Sequence, residues 1–356
     1  MDITINSEVL KNELMLAQAA AEKKPSIPIL STVLFSAKDG VCRISATDWN
    51  VGTVADVPVE MRQAGTLCLP VRRLADIVAT FTTPTDLDIE NDRTAGIIRW
   101  PDGRLRFTCP PAVEDFPSLP DMPEPFMEID ALRAVVTKVM TSISTTKYIL
   151  RGALFDVSTT ALKAVSTDGH RLTLTVVPVT SSVDVKVLIP KEMLSLILTS
   201  SPASGTVHFA KDEKHVFVSM GHRVIIGRTM VGEFPNYEAI IPPANGNVGK
   251  ANRAALLEAV TRAGTQADGR HATIALILSK KSSIITAKSG YMDDYSAALP
   301  IEYSGEEIAV GLNWNYLSDF LRVTECEEVT LSLKGSQDPV MIESADAKYV
   351  LMPMRI

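Results

Sequence analysis

Residues 69–78 read LPVRRLADIV and residues 189–198 read IPKEMLSLIL. Each places an apolar residue and a proline ahead of a run whose apolar positions recur three and four apart. That is the pattern of an amphipathic helix entered through a proline. The two stretches lie 120 residues apart, and other landmarks share the displacement. Thr47-Asp48 returns as Thr167-Asp168, 120 on, and Phe116-Pro117-Ser118-Leu119-Pro120 returns as Phe234-Pro235-Asn236-Tyr237-Glu238, 118 on. A fainter third copy opens at Gly311-Leu312-Asn313, ahead of the helical run WNYLSDFL. One displacement shared by several landmarks makes the chain three copies of a unit of 118–120 residues. The predicted domains are 1–122, 123–245 and 246–356, joined through the Pro-rich LPDMPEP and the Gly/Asn-rich IPPANGNVG.

The order within a unit sets the fold class. Leu132, Val135, Val136, Val139, Met140 and Ile143 form one apolar stripe and predict a first helix, with counterparts over Val9–Ala21 and Ala254–Arg262. Short β-type runs follow (GALFDVS, ALKAVST, LTLTVVPV), then the proline-led second helix, then GTVHFAKD, HVFVSM and HRVIIGRTM. The expectation is α+β: three repeated domains, each with two helices on one face and β-sheets on the other.

Composition narrows the function. A chain of 356 residues that is 46% hydrophobic and 22% charged has ample capacity for real cores. No apolar run approaches the roughly 18–20 residues of a membrane helix. The start, MDITINSEVL, has no basic, apolar leader, so no secretory signal is expected. Cys42, Cys68, Cys109 and Cys326 form no C-x-x-C pair, which suits reduced thiols in a cytoplasmic protein. The net charge of −7 argues against a protein coated in nucleic acid, but not against one basic inner face. Lys23, Lys24, Arg72, Arg73, Arg133, Lys138, Lys147 and Lys191 lie on or beside the predicted helices.

Catalytic and cofactor signatures are sparse. The cluster Ser166-Thr167-Asp168-Gly169-His170-Arg171 has two readings: a turn or binding surface, or a hydrolase using Asp168 and His170. His208, His215 and His222 are spaced by seven, which provides no metal set, and no phosphate-cradling glycine motif is present. No metal and no cofactor is expected. The ending Tyr349-Val350-Leu351-Met352-Pro353-Met354-Arg355-Ile356 reads as an apolar edge strand whose methionines offer an adaptable surface for peptide side chains.

Together, K-P-S-I-P-I-L at 24–30, S-T-D-G-H-R-L at 166–172, G-E-F-P-N-Y-E at 232–238, the apolar ending and the threefold unit resemble the bacterial DNA polymerase III beta sliding clamp family along the whole chain. The resemblance implies a head-to-tail homodimer closing a six-domain ring, with helices lining the hole. Double-stranded DNA would thread it through sequence-independent phosphate contacts. It implies a partner-peptide pocket of Leu150, Thr167, Gly169, His170, Arg171, Leu172, Pro235, Ile240, Asn313, Tyr316, Val340, Val350, Met352, Pro353, Met354 and Arg355. Within it, His170, Arg171 and Asn313 would orient the peptide backbone. DNA polymerase III catalytic subunit, clamp loader, other polymerases and repair proteins would compete for it through short linear motifs. DNA-facing residues would be Lys24, Arg72, Arg133, Lys147, Tyr148 and Lys191. The dimer interface would set Arg104, Arg106 and Phe107 against Thr265, Asp293 and Asp294 of the partner. Ala239 at the pocket rim, Lys147 where arginine is common, and the polar AGTQAD at 263–268 depart from the family pattern.

Overall fold

The computed structural model describes residues 1–22, 27–92, 95–108, 112–200, 205–243, 247–267, 272–288 and 294–356. Lys23, Lys24, Cys109, Asp268 and Asp293 lie outside them. Among the described residues are helices α1 (Ser7–Ala20), α2 (Val71–Val78), α3 (Leu132–Met140), α4 (Lys191–Ser200), α5 (Arg253–Gly264) and α6 (Trp314–Val323). The expected α+β class with two helices per repeat is what the chain adopts. Asn6, Asn252 and Asn313 cap α1, α5 and α6 by accepting backbone N–H bonds, while Pro70 leads into α2. Helix α3 ends at Met140, short of the apolar stripe, although Ile143 beyond it is still buried.

Packing does not follow the repeats. The chain divides into two compact units, Met1–Arg133 with Glu192–Thr229, and Ala134–Lys191 with Met230–Ile356. The second repeat is thus shared between them, and the sheets show why.

In the first unit, five antiparallel strands run in the order Glu60–Gln63, Asp2–Asn6, Asp86–Asp92, Ala95–Trp100, Gly103–Thr108. A second sheet runs Met127–Ile129, Val207–Lys211, His215–Met220, Arg223–Arg228, Val51–Pro58, Val41–Thr47, Thr32–Lys38, Gly65–Pro70. Its middle is a joint between repeats, where Arg223–Gly227 pairs antiparallel with Val51–Ala55. The α1 stripe of Leu10, Leu14 and Ala17 and the α2 stripe of Val71, Leu74 and Val78 are almost wholly buried. Each such large side chain contributes about 1.5–3 kcal/mol by leaving water.

The second unit holds nine strands in the order Val185–Pro190, Gly152–Val157, Ala161–Thr167, Arg171–Pro178, Ala347–Leu351, Val340–Glu343, Glu328–Leu333, Asn247–Asn252, Glu302–Tyr303. Here the joint pairs Arg171–Thr175 with Ala347–Leu351. A four-stranded sheet, Asp294–Ala298, Ile284–Lys288, Thr273–Leu278, Ile308–Asn313, completes the unit. Leu256 and Val260 of α5 and Leu317, Phe320 and Leu321 of α6 share one core with both sheets, and Phe320 stacks on Tyr349 with ring centroids 4.6 Å apart.

Two polar groups are held in the interior by ion pairs. Lys138, one of the cations marked on the predicted helices, is buried and paired with Asp346, because its position on α3 points into the packed side. Glu13 of α1 is 3% exposed and takes a two-pronged guanidinium bond from Arg223 at 2.7 and 2.9 Å, with His222 Nε2 at 3.0 Å. Burial works against ionising Glu13, but the bonds and charges of Arg223 and His222 outweigh it and hold its pKa below the ordinary value. Burial pushes the Cys42 thiol up to about 12 and the Cys68 thiol to about 11, so neither is a thiolate at neutral pH.

A lowered folded-state pKa makes Glu13 contribute stability that is complete above the ordinary glutamate pKa. That contribution disappears as pH falls through the lowered value. Glu13→Gln should therefore cost about 2 kcal/mol at neutral pH, since Arg223 keeps a partly buried charge without its counter-ion. Thermal melts across roughly pH 3–7 check this: the gap between wild type and variant should narrow on acidification.

Candidate partner-binding site

The site belongs to the joint of the second unit. The first strand of that joint begins with the turn Thr167–Arg171, which the sequence builds from its own side chains. Thr167 Oγ1 donates to the Arg171 carbonyl at 2.6 Å and accepts from Gly169 N at 3.1 Å. Asp168 Oδ1 accepts from His170 N at 2.9 Å and Arg171 N at 3.0 Å. Gly169 sits at φ +94°, the left-handed region that favours glycine.

The hydrolase reading fails here. Asp168 Oδ2 is taken by Arg171 Nε at 3.0 Å, so the carboxylate holds the turn and its arginine instead of orienting the His170 imidazole. His170 is exposed, and its carbonyl accepts from Met352 N at 2.9 Å.

Arg171 is wall rather than hand. Nη1 donates to Asp319 at 2.9 Å, and the guanidinium lies 4.1 Å from the centroid of the Tyr316 ring. Burial opposes this cation, but Tyr349, Asp319 and Asp168 more than offset it and push its pKa up. Tyr349, whose own pKa is raised by burial, donates its hydroxyl to the Tyr316 carbonyl at 2.9 Å. The expectation that Arg171 and Asn313 would orient a peptide backbone meets two facts. Arg171 is engaged on three sides, and Asn313 Oδ1 caps α6 by accepting from Asn315 N and Tyr316 N.

The floor is apolar. Leu154, Val165, Leu172, Leu174, Leu188, Tyr237 and Val350 cluster on one sheet face, with Ile149, Met230, Phe234 and Ile241 packed against them. Leu172 and Val350 face each other across the joint, and Leu150 is buried. Val340 is fully buried in the core of the third repeat, so its side chain lies beneath the surface rather than on it. Tyr237 donates to Asp156 at 3.2 Å, and burial together with Asp156 raises its pKa to about 12. Pro235 and Ile240 are exposed at the rim.

The last residues form the remaining edge. Met354 N donates to the Gly311 carbonyl at 2.8 Å, and a Cβ on Gly311 would come within 2.5 Å of the Met354 carbonyl. Met352 and Arg355 are exposed, and Pro353 and Met354 are half-buried. Sequence reasoning missed Ile149, Leu154, Leu174, Tyr237 and Asp319. Leu154 and Leu174 lie on the predicted strands, Tyr237 in the linker and Ile149 in the short turn Tyr148–Leu150, while Asp319 follows Tyr316 by one helical turn.

Of the remaining candidates, Arg72, Arg133, Lys147 and Tyr148 are exposed and Lys191 is half-buried. Arg104 and Arg106 are exposed on the edge strand Gly103–Thr108, whereas Phe107 is 2% exposed, with Arg73 lying 5.4 Å from its ring centroid. Alternation along the strand turns Phe107 inward. Thr265 is exposed at the end of α5, and Asp294 opens the other edge strand. In AGTQAD, Ala263 and Gly264 are buried, Gly264 tightly against Trp314, so those two are structural. Among the described residues no cluster of metal-ligating side chains occurs, and no helix is long and apolar enough to cross a membrane.

Three family models match the chain consecutively: the DNA polymerase III beta subunit N-terminal domain over residues 1–120, central domain over 127–236 and C-terminal domain over 238–355. The beta sliding clamp of Pseudomonas putida is 29% identical over 370 residues, and that of Escherichia coli K12 is 26% identical over 371, each covering all of both chains. The crystal structure of the Pseudomonas aeruginosa DNA polymerase sliding clamp matches with a TM-score of 0.92 at 26% identity, covering all of both chains. The Bacillus subtilis sliding clamp shares the fold at a TM-score of 0.94 and 22% identity. With its domains matched in order from end to end, the chain belongs to the DNA polymerase III beta subunit family and is a non-catalytic DNA polymerase processivity factor.

Proposed function

We propose that two copies of the chain close head to tail into a ring around duplex DNA, and that the joint of the second unit is where partner proteins dock. The observation that carries the ring is a pair of incomplete sheets. The nine-stranded sheet consists of a four-stranded half-sheet of one repeat, its first half, and a five-stranded half-sheet of the next, its second half, which also takes in the strand Asn247–Asn252 that opens that repeat. The four-stranded sheet is such a first half alone, and the five-stranded sheet is such a second half alone. Their open edges are Asp294–Ala298 and Gly103–Thr108, the counterparts of the two strands that meet at each internal joint. Backbone groups on such edges favour pairing with another chain. A head-to-tail contact that closes on itself makes a ring.

Carrying the joint register over strand by strand sets Arg106 of one copy opposite Asp294 of the other, both on the exposed face of their strands. Duplex DNA would pass along the helices, with Arg72, Arg133, Lys147, Tyr148 and Lys191 as phosphate contacts and Lys24 as a further one. A processivity factor must slide, so these contacts need to be few and weak. The tether is topological, and a net charge of −7 does not oppose it. At the pocket, Leu172, Val350 and Tyr237 would form the apolar floor for leucine and aromatic side chains of a short motif, with Met352 as an adaptable rim. DNA polymerase III catalytic subunit, clamp loader, other polymerases and repair proteins are its expected occupants.

Four outcomes test this reading. The chain loaded on circular duplex should remain bound and should leave once the circle is cut; equal loss from both forms would refute the ring. Arg106→Glu should weaken dimerisation about tenfold by sedimentation, with Asp294→Arg on the same chain restoring it. A Q-L-x-L-F peptide should be retained by the wild-type chain and lost when Met352–Ile356 is removed. Gly311→Ala, which crowds the Met354 carbonyl, should weaken the same peptide and cost about 1–3 kcal/mol of stability.

A further inference from the structure

The joint of the first unit repeats the architecture of the pocket joint, turn included. Thr47 Oγ1 donates to the Val51 carbonyl at 2.7 Å and accepts from Trp49 N at 3.1 Å, and Asp48 Oδ1 accepts from Asn50 N and Val51 N at 2.9 Å. These bonds match the turn Thr167–Arg171 atom for atom. The linker Pro117–Pro120 crosses this joint as Pro235–Glu238 accompanies the other. Leu119 sits over Gly52, where an added Cβ would be 3.1 Å from it. Beside the linker lies a groove of about 480 Å³.

Its residues differ from those of the pocket in a directed way. At the position of Gly169 stands Trp49, 54% exposed, at φ +75°. A bulky side chain rarely adopts that backbone, and such strain gathers at functional sites. Ile226 and Leu119 supply an apolar floor, and Lys214 and Arg228 stand exposed at the rim. Among the described residues lining the groove there is no acid to match either cation. Asp48 is engaged by its own turn, and Asp212 by His215 and the backbone of Lys214.

We propose that this groove is a second docking site, taking a short extended peptide in which a leucine or aromatic side chain is flanked by carboxylates. The apolar side chain stacks on Trp49 over Leu119 and Ile226, and the carboxylates meet Lys214 and Arg228. The site makes two docking positions per chain that share an apolar anchor, and only the class of ligand rests on the reading of the pocket joint.

Titrating the full chain with a fluorescein-labelled E-D-L-F-D peptide, followed by anisotropy, tests it. The expected result is two peptides per chain, one position weakening at least tenfold in Lys214→Glu/Arg228→Glu and in Trp49→Gly. Trp49→Gly gives the turn the glycine its backbone favours, so its melting temperature should hold or rise while binding falls. A purely structural tryptophan would not separate the two. Removing Met352–Ile356 should abolish the other position only; if it abolishes neither while Trp49→Gly removes one, the second groove stands and the pocket assignment falls. One peptide per chain lost with the tail, two positions indifferent to both groove variants, or no binding at all would overturn the proposal.

Discussion

Everything in this chain depends on one backbone constraint: a β-strand at the edge of a sheet must find a partner or be defended. Each repeat is made of two half-sheets whose inner edges do not meet one another. The first half ends in a strand such as Val51–Pro58 or Arg171–Pro178, and the second half in Arg223–Arg228 or Ala347–Leu351. Hydrogen bonding joins the first half of one repeat to the second half of the next. This is why compactness cuts through the middle of the second repeat, and why the chain has one unmatched half of each kind.

The repeat, the helix positions and the α+β class were legible because they rest on local patterns. Proline leads into α2, an apolar stripe marks α3, and alternation marks the strands, all within a few residues. The division into 1–122, 123–245 and 246–356 was read from the same displacements, but sequence displacement is silent about which strands pair. The joints bring together residues 168 positions apart or more, and nothing near Arg223 announces Ala55 as its neighbour. Lys138 and Phe107 show the same limit: nothing beside them in the sequence announces that tertiary packing turns both side chains inward.

At the candidate pocket the structure shows engagements that the sequence does not announce. Arg171 and Asn313 carry donors and acceptors suited to a peptide backbone, so a sequence reading assigns them that task. The fold uses them to hold the site instead. Asn313 starts α6 and fixes Tyr316, and Tyr316 supports the Arg171 guanidinium that Asp168 and Asp319 clamp from two sides. A charge held so completely contributes rigidity and a stacked surface. What remains of the surface there is largely apolar.

The two internal joints show how one repeated scaffold diversifies. The turn Thr-Asp is kept in both because its side chains satisfy the backbone that the bend exposes, so changing them would unsettle the strand pairing. The two positions after it carry no such duty, and there the copies diverge, Trp49-Asn50 against Gly169-His170. Opposite the turn the exchange is reciprocal: Gly52 admits Leu119 onto the sheet at one joint, whereas Leu172 itself forms the floor at the other. One groove is therefore floored by linker and walled by an indole, the other floored by sheet and walled by an arginine on a tyrosine. Since the hydrogen-bonded frame is common to both, the difference between the two grooves lies in the side chains set on that frame.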